Sequence, residues 1–179
     1  MHPPRVFLTG FMGSGKSTSG PLLADRLGYR FLDLDDEVER AAGVSISDLF
    51  ARRGEPVFRA LETAVLCEAA TQEHVVVATG GGALATEANL LTAETSGTIV
   101  YLKLSPEALA QRLLGTDGRP LLLDEDGRPF AEAVLVNHIN EALRKRDRFY
   151  SQADVTIEAE ALGPEQVAEA IVQALPVTA

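Results

Sequence analysis

A chain of 179 residues, 46% hydrophobic and 23% charged, has enough apolar material for one full core and is expected to form a single domain, 1–179. Its 16 basic and 26 acidic side chains leave a net charge of −10, which argues against nucleic acid or an anionic membrane as a bulk partner. The short apolar run near the N-terminus carries one early Arg5 and is interrupted at Gly10, so neither a signal peptide nor a spanning helix is expected, and the cytoplasm is the expected location.

The first predicted strand, 5–9, runs straight into Gly10-Phe11-Met12-Gly13-Ser14-Gly15-Lys16-Ser17-Thr18, a complete G-x-x-x-x-G-K-[ST] phosphate loop. Its glycines let the backbone curl until successive N–H groups from Gly13 to Thr18 point into one anion-sized hollow, at the positive end of the helix that follows. Lys16 is expected to reach the β- and γ-phosphates of a nucleoside triphosphate, and the Ser17 hydroxyl to ligate Mg²⁺. Leu22, Leu23, Arg26 and Leu27 give that helix one face, Gly28 stops it, and Pro21 removes one of its backbone bonds.

A second strand, 29–34, leads into Leu32-Asp33-Leu34-Asp35-Asp36 at the carboxyl end of the sheet, where open α/β proteins bind ligands. Strand alternation predicts that Asp33 and Asp35 point to one side. Asp33 is then suited to hold Mg²⁺ through water, and Asp35 to orient or deprotonate a substrate hydroxyl. Asp36 reads as the cap of a helix beginning near Glu37. Gly43 and Gly54 read as helix stops, Ser45 with Asp48 as a capping box, and Pro56 as a first-turn residue.

The next helix carries Phe58, Leu61 and Val65 as an apolar stripe, with Arg59 and Glu62 three apart on the neighbouring face. Taken alone, that pair favours a solvated ion pair. Cys67 has no partner for an internal disulfide and, in a helical apolar context, reads as a packing residue in a reduced compartment. A third strand, 75–79, ends in Thr79-Gly80-Gly81-Gly82, which is either a flexible turn or a backbone that a ligand approaches closely.

After the strand 98–104, Pro106 suits the first turn of a helix that carries Arg112. The segment Gly115 to Pro129 lacks periodicity and holds three glycines and two Arg-Pro steps, which favours a lid closing over the site. Arg112 and Arg119 would then bring positive charge onto the nucleotide, the alternative for each being a solvated arginine. In the helix 130–151, Ile139, Leu143, Arg146 and Tyr150 are spaced by four, three and four, so an arginine occupies the inward stripe. It requires an anionic partner, either a ligand or an internal carboxylate. The last strand is 153–158, and the separated His2, His74 and His138 read as surface or structural residues.

Together these segments closely resemble the shikimate kinases, a branch of the nucleoside-monophosphate-kinase-like P-loop group. The resemblance rests on the phosphate loop, the D-x-D at Asp33 and Asp35, F-R-x-x-E from Phe58 to Glu62, Gly80 to Gly82, R-P-L-L from Arg119 to Leu122, and R-x-x-x-Y at Arg146 and Tyr150. It implies an α/β fold of three αβα layers around a five-stranded parallel sheet, with a lid at about 115–129 and a substrate-binding subdomain at about 33–62. It further implies that Arg59 and Arg146 grip the carboxylate of shikimate, while Asp35 and the backbone of Gly80, Gly81 and Gly82 hold its hydroxyls. Lys16 and Arg119 would stabilise phosphoryl transfer from ATP, Ser17 and Asp33 would serve Mg²⁺, and Arg112 and Pro164 would lie near adenine. A monomer is expected. From the residues alone, the acceptor bears an anionic group and hydroxyls, so a gluconate kinase is the alternative enzyme. Pro21 departs from the basic residue usual in the family, away from the site.

Overall fold

The computed structural model describes residues 2–114 and 130–177. The predicted lid and its Arg119 lie outside the described residues. Strands Arg5–Thr9 (β1), Arg30–Asp33 (β2), Val75–Ala78 (β3), Thr98–Lys103 (β4) and Val155–Glu158 (β5) form one sheet in the order β2-β3-β1-β4-β5. Every neighbouring pair is parallel, and β1 lies at the centre, with Val6 opposite Val76 of β3 and Thr98 of β4.

A parallel sheet must be covered on both faces, and the alternation of β1 assigns the faces. Val6 and Leu8 enter one core with residues of helices Lys16–Leu27 (α1), Pro106–Leu113 (α5), Glu132–Tyr150 (α6) and Pro164–Ala174 (α7). Phe7 enters the other, with residues of Leu34–Ala42 (α2), Ile46–Ala69 (α3) and Glu87–Ser96 (α4). The expected three αβα layers follow from this division.

Most stops and caps act where the sequence puts them. Gly28 and Gly43 end α1 and α2 in the left-handed conformation, and the Ser45 hydroxyl accepts the Asp48 N–H at the head of α3. Pro106 opens α5, and α1 runs through Pro21 without interruption. Gly54 stops the first part of α3 as expected: at φ 77° and ψ 171° it leaves the helical path, and a second helical stretch starts around Pro56, so α3 is two helices joined at a kink. Cys67 departs from expectation, since its side chain is exposed on α3 while the adjacent Leu66 is fully buried. Among the described residues no helix is long and apolar enough to cross a membrane.

Gly97 turns the chain from α4 into β4 against the first strand. A β-carbon there would come within 2.7 Å of the Arg5 carbonyl oxygen and 2.9 Å of the Phe7 ring, so backbone would have to move. Gly97→Ala is therefore expected to lose about 1–3 kcal/mol through overpacking. Chemical denaturation reads this as a lower midpoint at constant slope, and an unchanged midpoint would mean that this corner relaxes freely.

Candidate active site

The phosphate loop owes its shape to Gly10, Gly13 and Gly15, whose φ angles of 144°, 79° and 99° disfavour a side chain. Gly10 is also sterically confined, because a β-carbon would sit 2.7 Å from the Leu102 carbonyl oxygen. Lys16 is only 8% exposed and folds over the loop, its Nζ donating to the carbonyls of Gly10 at 2.8 Å and Phe11 at 3.0 Å and to Ser14 Oγ at 3.3 Å. An ammonium held among backbone carbonyls in the hollow of the loop stands beside the space where phosphate oxygens would enter.

The carboxylates after β2 arrive differently from the alternation expected of a strand. β2 stops at Asp33, whose Oδ1 accepts the Asp35 N–H at 3.1 Å and so caps α2, which begins at Leu34. The expected cap by Asp36 before Glu37 is thus replaced by Asp33, because Asp33 holds the extended conformation that an N-cap needs. Its other oxygen, Oδ2, accepts the Ser17 hydroxyl at 2.6 Å and joins the heads of α1 and α2. Asp35 lies in the first turn of α2 and turns to the glycine loop, its Oδ1 being 2.9 Å from where a β-carbon of Gly80 would stand. The two aspartates therefore serve different neighbours.

Gly80 to Gly82 follow β3 and form the floor on which the remaining groups meet. Glu62 Oε1 stands 2.9 Å from the β-carbon position of Gly80, Arg146 Nη1 3.5 Å from that of Gly81, and Arg59 Nη1 3.2 Å from that of Gly82. A side chain at Gly80 would displace the Asp35 or Glu62 carboxylate, and one at Gly82 would press on the Arg59 guanidinium. Arg59 donates to Glu62 at 2.7 Å and to Glu55 at 3.2 Å, and its guanidinium lies 5.0 Å from the Phe58 ring centroid. Arg146 lies 5.3 Å from the ring centroid of Phe11, inside the phosphate loop.

Glu62 is 2% exposed, so its pair with Arg59 is not the solvated surface pair that i, i+3 spacing favours. Burial pushes the Glu62 carboxyl above its ordinary range, Arg59 opposes this, the nearby Asp35 charge adds to it, and Arg146 opposes it. Sequence reasoning left Glu62 out of the site. The signal was present: Glu62 is four residues after Phe58 and three before Val65, on the buried stripe itself, by the same spacing that identified Arg146.

The inward stripe of α6 is as expected, with Ile139 and Tyr150 buried and Arg146 half-buried between them. Arg112 lies 3.9 Å from the β-carbon position of Gly15 and donates to the carbonyls of Ala159 at 3.3 Å and Glu160 at 3.4 Å. It thus bridges the phosphate loop and the segment that leads to Pro164 at the head of α7. Of the predicted site residues, Lys16, Ser17, Asp33, Asp35, Arg59, Gly80, Gly81, Gly82 and Arg146 gather at the carboxyl ends of β1, β2 and β3. Arg112 and Pro164 stand apart, Arg112 beside Gly15 and Pro164 at the head of α7.

The family model described as Shikimate kinase matches residues 12–176. A shikimate kinase of Chlorobaculum tepidum is 46% identical over 156 residues, covering 87% of this chain and 82% of the relative. Among solved structures, a shikimate kinase from Acinetobacter baumannii in complex with shikimate superposes with a TM-score of 0.86 at 37% identity, covering 95% of this chain and 91% of that one. A gluconokinase from Sinorhizobium meliloti, with a TM-score of 0.59 at 19% identity over 97% of this chain and 91% of its own, shares the fold alone.

Proposed function

The chain belongs to the shikimate kinase family, and on that premise we propose how its own residues divide the work of the reaction. The reaction transfers the γ-phosphoryl group of ATP to the 3-hydroxyl of shikimate, giving shikimate 3-phosphate and ADP on the way to chorismate and the aromatic amino acids. Our assignment rests on one observation: two guanidinium groups, Arg59 and Arg146, and the Asp35 carboxylate converge on three consecutive glycines beside the phosphate loop.

A guanidinium offers paired N–H donors in a plane that matches a carboxylate, so Arg59 and Arg146 bind the acid group of the acceptor. Glu62 and Glu55 hold Arg59 in place by hydrogen bonds. Asp35 accepts the proton of the reacting hydroxyl or fixes its direction, and the Gly80 to Gly82 backbone lets the ring approach without steric conflict. Lys16, freed from the loop carbonyls, supplies positive charge to the transferring phosphoryl group. Arg112 and Pro164 border the adenine. The segment 33–62, containing α2 and the first part of α3, is the acceptor-binding subdomain.

The donor set also fits Mg²⁺. Ser17 and Asp33 offer one hydroxyl and one carboxylate 2.6 Å apart at the edge of the phosphate loop, hard oxygen ligands of the kind this ion takes. Among the described residues no group of three or more His, Cys, Asp or Glu side chains could hold an ion, which suits a cation bound mainly by phosphates and water. Bound there, Mg²⁺ would neutralise charge on the β- and γ-phosphate oxygens. Ser17 would contact it directly and Asp33 would hold it through water. Neither nucleic acid nor membrane is needed by this chemistry, and we propose a cytoplasmic monomer.

Arg146→Lys tests the acceptor site, since an ammonium keeps the charge but loses the planar fork. Shikimate affinity is expected to fall at least about tenfold, consistent with about 1.5–3 kcal/mol for a charge-assisted hydrogen bond. ATP affinity should persist. Calorimetric titration of the folded variant with each substrate reads both, and an unchanged shikimate affinity would make Arg146 a structural partner of Glu62.

A further inference from the structure

Tyr150 is 3% exposed, and its hydroxyl donates to the Gly81 carbonyl at 2.6 Å, across 69 residues of sequence. The carbonyls of Gly80 and Gly82 accept backbone N–H groups from Ala83 and Ala85, both at 3.0 Å, whereas that of Gly81 is held by this phenol. A glycine has no side chain through which packing could fix it, so the hydrogen bond sets the orientation of the Gly81–Gly82 peptide. In a trans peptide the Gly82 N–H points opposite to the Gly81 carbonyl, and among the described residues no peptide is cis. Fixing the carbonyl therefore aims a donor on the opposite side.

Gly81 also lies between the phosphate loop and α6. Its β-carbon position is 3.3 Å from Met12 N and 3.5 Å from both Gly10 O and Arg146 Nη1, so the phosphate loop and the acceptor-binding arginine meet across it. Arg146 lies one helical turn before Tyr150 and faces the same phenol, whose ionised form it favours against burial. Tyr101 of β4 stacks on the Tyr150 ring at 4.7 Å between centroids, which locks the ring from behind.

We propose that the Tyr150 hydroxyl is a positioning group for the acceptor: it holds the Gly81–Gly82 peptide between the phosphate loop and Arg146, orienting the Gly82 N–H and the guanidinium towards shikimate. This rests on the reading that the glycine backbone and Arg146 bind shikimate. Tyr150→Phe keeps the ring and its stack on Tyr101 and removes one oxygen. The shikimate KM is expected to rise about fivefold to twentyfold, in line with the loss of one hydrogen bond of about 1–1.5 kcal/mol or slightly more. The ATP KM and the melting temperature should stay near those of the parent. Tyr101→Phe, which keeps the stack and leaves the Gly81 bond intact, should leave the shikimate KM unchanged.

Steady-state kinetics on the folded variants, with Arg146→Lys run beside them, decides the matter. A shikimate KM unchanged in Tyr150→Phe but raised in Arg146→Lys overturns the role of the hydroxyl alone. Unchanged values in both overturn the acceptor site itself. Equal rises in the KM for ATP and shikimate in Tyr150→Phe, or a rise of the same size in Tyr101→Phe, would make the phenol a general structural element and also overturn the proposal.

Discussion

Replacing Lys16 by alanine is expected to reduce turnover by at least about 10³-fold, the lower end of what a cation stabilising a transferring phosphoryl group supplies. The ammonium is buried in the phosphate loop and already points three donors at the loop's own oxygens, so the hollow of the loop is built around it. The loop should survive its loss: the glycine conformations do not depend on the side chain, and the Phe11 carbonyl still accepts the Ser14 N–H at 3.1 Å. An assay coupling ADP release to a chromophore, run on protein whose circular dichroism matches the parent, measures the effect. Normal ADP release from folded Lys16→Ala would remove the phosphate loop from the mechanism.

Asp35→Asn is the second large effect, with kcat expected to fall by about 10²–10⁴-fold, as for a positioned general base. The amide keeps the shape of the side chain beside Gly80 but can neither accept a proton nor hold the acceptor hydroxyl by charge. Because Asp33, and not Asp35, supplies the side-chain cap of α2 and the bond to Ser17, the substitution leaves both intact. The KM for ATP should hardly move. Weakened ATP binding with full turnover at saturation would instead assign Asp35 to the nucleotide.

The sequence carries more of the fold than of the site. Runs such as Val75–Ala78 are short, apolar and bounded by turn residues, and all five strands lie within a residue or two of expectation. Arg146 was legible because a charge on an apolar helical stripe violates the pattern around it. Glu62 escapes notice because its i, i+3 pairing with Arg59 accounts for its charge without reference to the Phe58–Val65 stripe on which it also lies. The shared side expected for Asp33 and Asp35 fails because period-two alternation does not extend past the end of β2, where helix capping takes over. The glycine triplet's own pattern leaves a flexible turn and a ligand-facing backbone equally open, since what distinguishes them is the set of side chains arriving from α2, α3 and α6.

The bond from Tyr150 to Gly81 spans 69 residues, and the hydrogen bond from Thr79 to Leu8 spans 71. Helices can form locally and early, but a site whose walls come from three parallel strands and a late helix exists only after the longest loops have closed. Arg59 and Arg146 belong to opposite halves of the sequence and meet only across the glycine floor, so neither half of the chain by itself brings the two guanidinium groups together. Catalysis recovered during refolding is therefore a reporter of complete parallel pairing. Helical signal, by contrast, can return while the chain is still inactive.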